Sequence, residues 1–364
     1  MKKLFYVLLV FIMAIPVSAQ KKTNFKVTGH APTITGGTGA ADYNKAIENV
    51  FGDVLQEINN QLNEIKFGNP EMLLQAMGDA SVYASHGATT RGYGGYKVFS
   101  ATVGPMFGVQ LPAGITSIIN DMGNLSDSLK EEGDVKLGIN PNVLNAQFGL
   151  NMGVFKIDNL YLGLRIGYFN LPDLEGLNFN SFTLGIMVNY QIVPSISLAG
   201  LVAWRGVSLG SGFIYNNSKI GFTAPLGNDI KQDIATGGYI YMKPEASLNL
   251  NVNTFTIPLE AITSIKLLIF NIPFGVGADL AFGKTSLGFG VNSDIELKDL
   301  PSGYKDNKDG DIYIDAQASN IPSIFNFKIM TGFGFSMGPV IIDIPFTYYP
   351  ASGYNIGITI GAVF

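Results

Sequence analysis

Stretch after stretch of this chain alternates apolar with small or polar residues at a period of two, which puts successive side chains on opposite faces of a sheet. Leu144, Ala146, Phe148, Leu150, Met152 and Val154 alternate with Asn145, Gln147, Gly149, Asn151 and Gly153. Leu160, Leu162, Leu164, Ile166 and Tyr168 do the same against Tyr161, Gly163, Arg165, Gly167 and Phe169. The pattern recurs from Phe182 to Tyr190 and from Val340 to Tyr348. A soluble β-sandwich also alternates, but its outward faces carry Lys, Glu and Thr. Here the second face is Gly, Asn, Ser and Gln with rare charges, which suits a lumen that holds water or a closely approaching plug.

Composition decides which face meets which solvent. Only 14% of the 364 residues are charged, against about 25% in soluble proteins, so the chain has too little solvated surface unless its outside lies in something apolar. A spanning helix needs roughly 18 or more apolar residues. Past residue 19 the nearest approach is Leu267 to Ala278, bounded by Lys266 and Asp279 and broken by Pro273. The remaining membrane solution is a closed β-barrel, whose backbone groups pair between strands. The absence of cysteine excludes disulfides, cysteine metal sites and thiol nucleophiles, and a net charge of −5 argues against nucleic acid. No metal or cofactor is expected. Asp306 to Asp311 looks faintly like a calcium loop, but with Gly310 in the glycine position Lys305 and Ala316 fall where carboxylates belong; a solvated turn is expected.

Lys2 and Lys3, the apolar run Leu4 to Pro16 and the small residues Val17-Ser18-Ala19 read as a secretory signal cleaved after Ala19. Helical spacing appears in 42–66, where Ile47, Phe51, Val54, Ile58, Leu62 and Ile65 share one face behind Asp42, and again from Met72 to Ala80. Gly114 to Glu132 is a third amphipathic stretch, expected outside the cell between the first two strands. The organisation expected is a signal peptide (1–19), a helical extension and hatch (20–95) and a barrel (96–364). The 42–66 helix is placed equally well in the lumen or under the barrel, and a plug is favoured from residue 67 onward.

The fold class is therefore all-β: a transmembrane antiparallel β-barrel of about fourteen strands with an N-terminal helical hatch. The strands are 97–111, 142–155, 159–171, 179–191, 195–208, 211–224, 236–251, 254–270, 273–283, 285–298, 311–320, 322–336, 338–349 and 352–364. Merging 195–224 into one tall strand, or treating 285–320 as an extracellular hairpin, changes the count, and twelve is the main alternative. In the fourteen-strand count the long polar connections 225–235 and 299–310 fall on the periplasmic side, where they fit badly. The last strand, from Tyr354 to the terminal Phe364, resembles the carboxy-terminal sorting signal of bacterial outer-membrane barrels, and so implies the barrel assembly machinery as a partner and the outer membrane of a diderm bacterium as the location.

With its secreted barrel, a hatch before the first strand and Asn69-Pro70 within that hatch, the chain resembles the FadL-like outer-membrane long-chain fatty-acid transporters; Asn69 to Pro112 has the flavour of spirochaetal members. Those proteins carry Asn-Pro-Ala in the hatch, where this chain has Glu71. The resemblance implies that apolar substrate is caught outside, passes into a hatch-blocked lumen and leaves sideways into the bilayer. Candidate ligand-binding residues are Phe67, Met72, Leu73, Met77, Met106, Tyr161, Phe169 and Met187, with Arg165 and Arg205 for a carboxylate head; packing of the lumen against the hatch is the other role open to each. The partners implied are fatty acids or similar hydrophobic small molecules and outer-membrane lipid, with a single chain as the unit. A general diffusion porin and a structural or adhesive barrel are the alternatives. A lipid hydrolase needs a serine held beside a histidine; His30 and His86 both precede the first strand, so no enzyme is expected.

Overall fold

Alternating β-branched and aromatic residues favour extended backbone. The computed structural model describes residues 26–64, 70–85, 96–111, 138–198, 201–225, 229–234, 237–350 and 353–364. The described residues open with β1 (Lys26–His30), β2 (Thr33–Thr35), α1 (Ala40–Glu64) and α2 (Pro70–Ala84). There follow β3 (Phe99–Gln110), β4 (Gly138–Asn151), β5 (Leu160–Leu174), β6 (Leu177–Val193), β7 (Ile196–Leu198) and β8 (Val202–Pro225). Next come β9 (Ile230–Asp233), β10 (Tyr239–Met242), β11 (Glu245–Leu267), β12 (Phe270–Lys298) and β13 (Lys305–Lys308). The chain ends with β14 (Gly310–Asn320), β15 (Phe325–Met337), β16 (Val340–Tyr349), β17 (Gly353–Gly357) and β18 (Thr359–Val363). Sixteen of these strands form one antiparallel sheet, and β2 pairs with β13 in a second.

Hydrogen-bonded neighbours in the large sheet run β3, β4, β5, β6, β8, β11, β12. From β12 they pass to β15, β16 and β17 with β18, and so back to β3. On β12 one register continues from β14 (Thr285 opposite Asn320) to β15 (Leu280 opposite Phe325), so these two are a single crossing interrupted at 321–324. The ring of ladders thus counts ten crossings, not the fourteen or twelve expected. Four expected pairs, 195–208 (from Val202 onward, β7 folding back on β8) with 211–224, 236–251 with 254–270, 273–283 with 285–298 and 311–320 with 322–336, are each one tall crossing. The sequence signal taken for a turn in these strands is a change in which face is apolar, with the ladder unbroken in β11, where Glu245 to Leu267 pairs continuously with β12.

Ten crossings also reassign the connections. At one end of the ring lie the short links 152–159, 194–201, 268–269 and 338–339 and the carboxy terminus, where the Phe364 carbonyl accepts from the backbone N–H groups of Lys97 and Val98 at 2.9 and 2.7 Å. The long connections 225–235 and 299–310 lie at the opposite end, with the tight Glu175-Gly176 turn, both of whose residues have positive φ, as a two-residue hairpin of this kind requires.

The N-terminal extension is not only helical. β1 pairs with the far part of β14. Tyr43, Ile47 and Phe51, one stripe of α1, pack at the long-connection end with Ile240, Ile295, Ile312 and Ile314. Asp306 to Lys308, within the stretch 306–311 expected as a turn, belong to strand β13. The signal segment, Phe67, Asn69, His86 and the 114–132 stretch lie outside the described residues.

Candidate functional site

Along the short-connection half of the ring the side chains are inside-out. Leu164, Ile186, Val276, Phe327 and Ile344 are exposed on the outer face, while Asn145, Thr183, Ser264, Asp279 and Asn355 are buried on the inner one. α2 fills the interior. Its Ala76, Ala80 and Ala84 repeat at a four-residue step and are buried, and two wall glycines let the helix backbone approach. A Cβ on Gly138 would stand 2.0 Å from the Ala76 carbonyl oxygen, and one on Gly108 would stand 2.0 Å from that of Ala80. Pro70 occupies the first helical position, where its missing N–H costs nothing.

The wall holds α2 by polar contacts spread around the ring. Asp79 accepts from the Ser323 N–H at 2.6 Å and from its hydroxyl at 2.8 Å. Ser81 shares a 3.0 Å hydrogen bond with Thr254, and its carbonyl accepts from Asn216 at 3.1 Å. Asn320 donates to the Glu71 carbonyl, Asn355 to that of Tyr83 and Arg165 to that of Ser85. Beside the helix lies a buried ionic cluster. Lys328 Nζ is 2.6 Å from Glu260 and 2.7 Å from Asp279, both pairs fully desolvated or nearly so. The Tyr349 hydroxyl donates to Asp279 at 2.9 Å, and its ring stacks on Tyr83 of α2 at 3.8 Å. Buried charges of this kind are costly to form and more costly to break, so they fix one arrangement of wall and helix.

α2 also changes character along its length. Leu74 and Met77 in its first half pack on Leu250, Val252, Ile220 and Leu287 of the wall. Asp79, Ser81 and Ser85 in its second half meet polar groups.

The ten sequence-predicted ligand residues do not converge on one pocket. Arg165 and Met187 line a small cavity with Tyr96, Ser100 and Asn189. Tyr161 adjoins it, edge-on to Tyr96 with ring centroids 5.4 Å apart, and Arg205 lies within electrostatic reach of Tyr161. The cavity volume is about 30 Å³, room for a water or two and far too small for an acyl chain. Met106 is fully buried on β3 beside Gly357. Met72, Leu73 and Met77 lie half-buried on α2, and Phe169 pairs with Phe179 at 5.8 Å toward the other end. Phe67 is not among the described residues. Sequence reasoning missed Glu260, Asp279, Lys328, Tyr83 and Tyr349; the available signal was three charges at buried inward positions, where Asn, Ser and Thr are otherwise the rule.

The profile of the Lsa36-like family matches residues 26–364. The chain belongs to the Lsa36-like family. No curated protein sequence matches it. Among solved structures this Lsa36-like protein is similar to the translocator domain of the autotransporter NalP from Neisseria meningitidis, at 10% identity over 89% of this chain and 98% of that one, with a TM-score of 0.26. It is also similar to the Pseudomonas putida toluene transporter TodX (9% identity, 82% and 98% covered, TM-score 0.24) and to LpxR from Salmonella typhimurium (9% identity, 73% and 100% covered, TM-score 0.23). At scores of this size no activity carries over.

Proposed function

We propose that this Lsa36-like protein is an outer-membrane barrel that passes hydrophobic small molecules, long-chain fatty acids or similar lipophiles, from the cell surface into the bilayer, with α2 as its plug. The observation that carries the reading is the placement of α2 across the lumen with its apolar half on an apolar wall and its polar half on a polar one. A lumen blocked in this way does not conduct solutes freely, which argues against a plain porin.

A second feature supplies a route. The wall strand running from β14 into β15 is interrupted at 321–324. α2 is tied to this interval through Ser323 and Asn320, while Ile321, Ile324 and Phe325 are exposed on it. An apolar molecule caught by the half-buried Met72, Leu73 and Met77 of α2 would leave sideways here. Once at bilayer depth it gains roughly 0.8 kcal/mol per buried methylene, so no energy source is needed. The remaining partners of this reading are outer-membrane lipid and the barrel assembly machinery, engaged by the strand ending in Phe364, with one chain as the unit and no catalytic step.

Planar-bilayer recording tests it. The intact protein is expected to show little steady conductance, and mass spectrometry of protein purified in mild detergent is expected to find co-purifying lipophile. Large, steady, water-filled pores in the intact chain would overturn the transporter reading.

A further inference from the structure

The four tallest neighbouring strands each exchange their apolar face at one level. On β11 the outward residues run Phe255, Leu259 and Leu267 toward the short-connection end, but Asn253, Asn251 and Glu245 toward the other. The inward residues change in the opposite sense, from Glu260 and Thr254 to Val252 and Leu250. β8 exchanges between Tyr215 and Asn217, and β12 between Phe282 and Lys284. In the ladder Tyr215 stands opposite Phe255, Asn217 opposite Asn253, and Asn253 opposite Lys284. On the β14–β15 crossing the outward residues pass from Gln317 and Ser319 to Phe325 and Phe327 across the break at 321–324.

The exchange line has its own chemistry. Phe213, Phe255, Tyr215 and Phe182 form a chain of ring contacts along it. Immediately beyond, Asn217 donates to Asn253 at 2.6 Å, Asn253 donates to Asn251 at 3.1 Å, and the Tyr215 hydroxyl reaches up to Asn253 at 3.1 Å. Amphipathic rings with their polar tips toward a polar ladder are what an interface between lipid and water selects. From the line to the short connections the apolar band of β12, Phe270 to Phe282, spans about 30 Å at ~3.3 Å per residue and ~40° tilt, close to the ~25 Å band of such barrels.

We propose that the outer-leaflet boundary of the bilayer lies along this line. The far halves of β8, β11, β12 and β14, together with β1, β2, α1, β9, β10 and β13, are then one water-facing domain on the cell surface, built on the same strands as the barrel. Its polarity is that of a soluble protein: α1 and the β9–β10 hairpin cover the inward apolar face, and Asp294, Glu296, Asp311 and Gln317 face out. On β12 it rises about 45 Å along the strand, from Lys284 to Lys298, at ~3.3 Å per residue. The inference rests on the outer-membrane reading and fixes where in the fold the membrane ends.

The chain has no cysteine, so single-cysteine variants of the full protein report cleanly. K219C, N251C and D294C sit beyond the line; F213C, L259C and V276C sit within the band. K305C, on exposed β13, reports the surface domain. In intact cells a charged, membrane-impermeant maleimide is expected to label K219C, N251C, D294C and K305C at least ~10-fold faster than the three band variants, because only the hydrated thiolate reacts. Protection of K219C and N251C with the band variants still protected would move the boundary and overturn this inference alone. Labelling of K305C only after permeabilisation would overturn the surface domain. Equal labelling of all seven would remove the barrel reading with it.

Discussion

Lys328→Met is the sharpest test of how the lumen is held. Lys328 sits between Glu260 and Asp279, at 2.6 and 2.7 Å. At an effective dielectric constant near 20 each contact is an attraction of about 6 kcal/mol, most of it offset by taking three ions out of water. Lys328→Met leaves both carboxylates buried without this ammonium, whereas Glu260→Gln keeps the Lys328–Asp279 pair. Breaking such a pair at one partner costs about 3–5 kcal/mol, while Glu260→Gln keeps an amide oxygen for Lys328 and leaves its bond to Asp279, and is expected to cost less than ~1.5 kcal/mol. The double variant should recover ~1–3 kcal/mol relative to Lys328→Met alone, the coupling expected of neighbours in one network. Urea titration in detergent micelles, followed by the fluorescence of the single tryptophan, Trp204, gives all three values; its indole donates to Thr263 on β11 at 2.7 Å and so reports wall integrity. Glu260→Gln as damaging as Lys328→Met, or Lys328→Met within ~1 kcal/mol of the native protein, would refute the electrostatic account.

Three further outcomes follow from the same geometry. Asp79→Ala removes both carboxylate contacts to Ser323 and is expected to weaken the seating of α2 by about 2–3 kcal/mol, seen as brief conductance openings in planar bilayers while urea unfolding of the wall shifts little. Gly138→Val places a side chain against the Ala76 carbonyl and cannot be relieved by a rotamer change, so it should unseat α2 more completely than Asp79→Ala, at a cost of about 1–3 kcal/mol, read as longer openings or as protease cleavage within 70–85. Deleting Phe364 removes the carbonyl that caps the start of β3 and the ring stacked on Phe99 at 4.8 Å; the fraction of chain reaching the heat-modifiable folded form in membranes should fall severalfold, and an unchanged fraction would remove the terminal residue from the assembly signal.

The wall was legible because lipid imposes a rule on every outward residue: Leu162, Leu164 and Ile166, or Ile356, Ile358 and Ile360, must all be apolar whatever they contact. The α1 stripe Ile47, Phe51 and Val54 was legible on the same terms, as a period set by one covered face. The lumen was not, because its partners are chosen across the ladder. Lys328 meets Glu260 and Asp279 from 68 and 49 residues away, and which inward residues meet depends on register, which periodicity does not contain. The strand count failed for a more instructive reason. A strand that leaves lipid for water without ending must hand its apolar residues to the other face, so Leu250 and Val252 follow the phase opposite to Phe255 and Leu259. In sequence this reads as one strand stopping and another starting a residue out of step. A true turn interrupts the hydrogen-bonded ladder; a change of solvent leaves it whole, as the pairing of β11 with β12 does from Glu245 to Leu267. A one-residue phase slip with no Gly, Pro or Asp cluster to turn on, as at Asn251-Val252-Asn253-Thr254, is therefore the signature of a solvent boundary rather than of a hairpin.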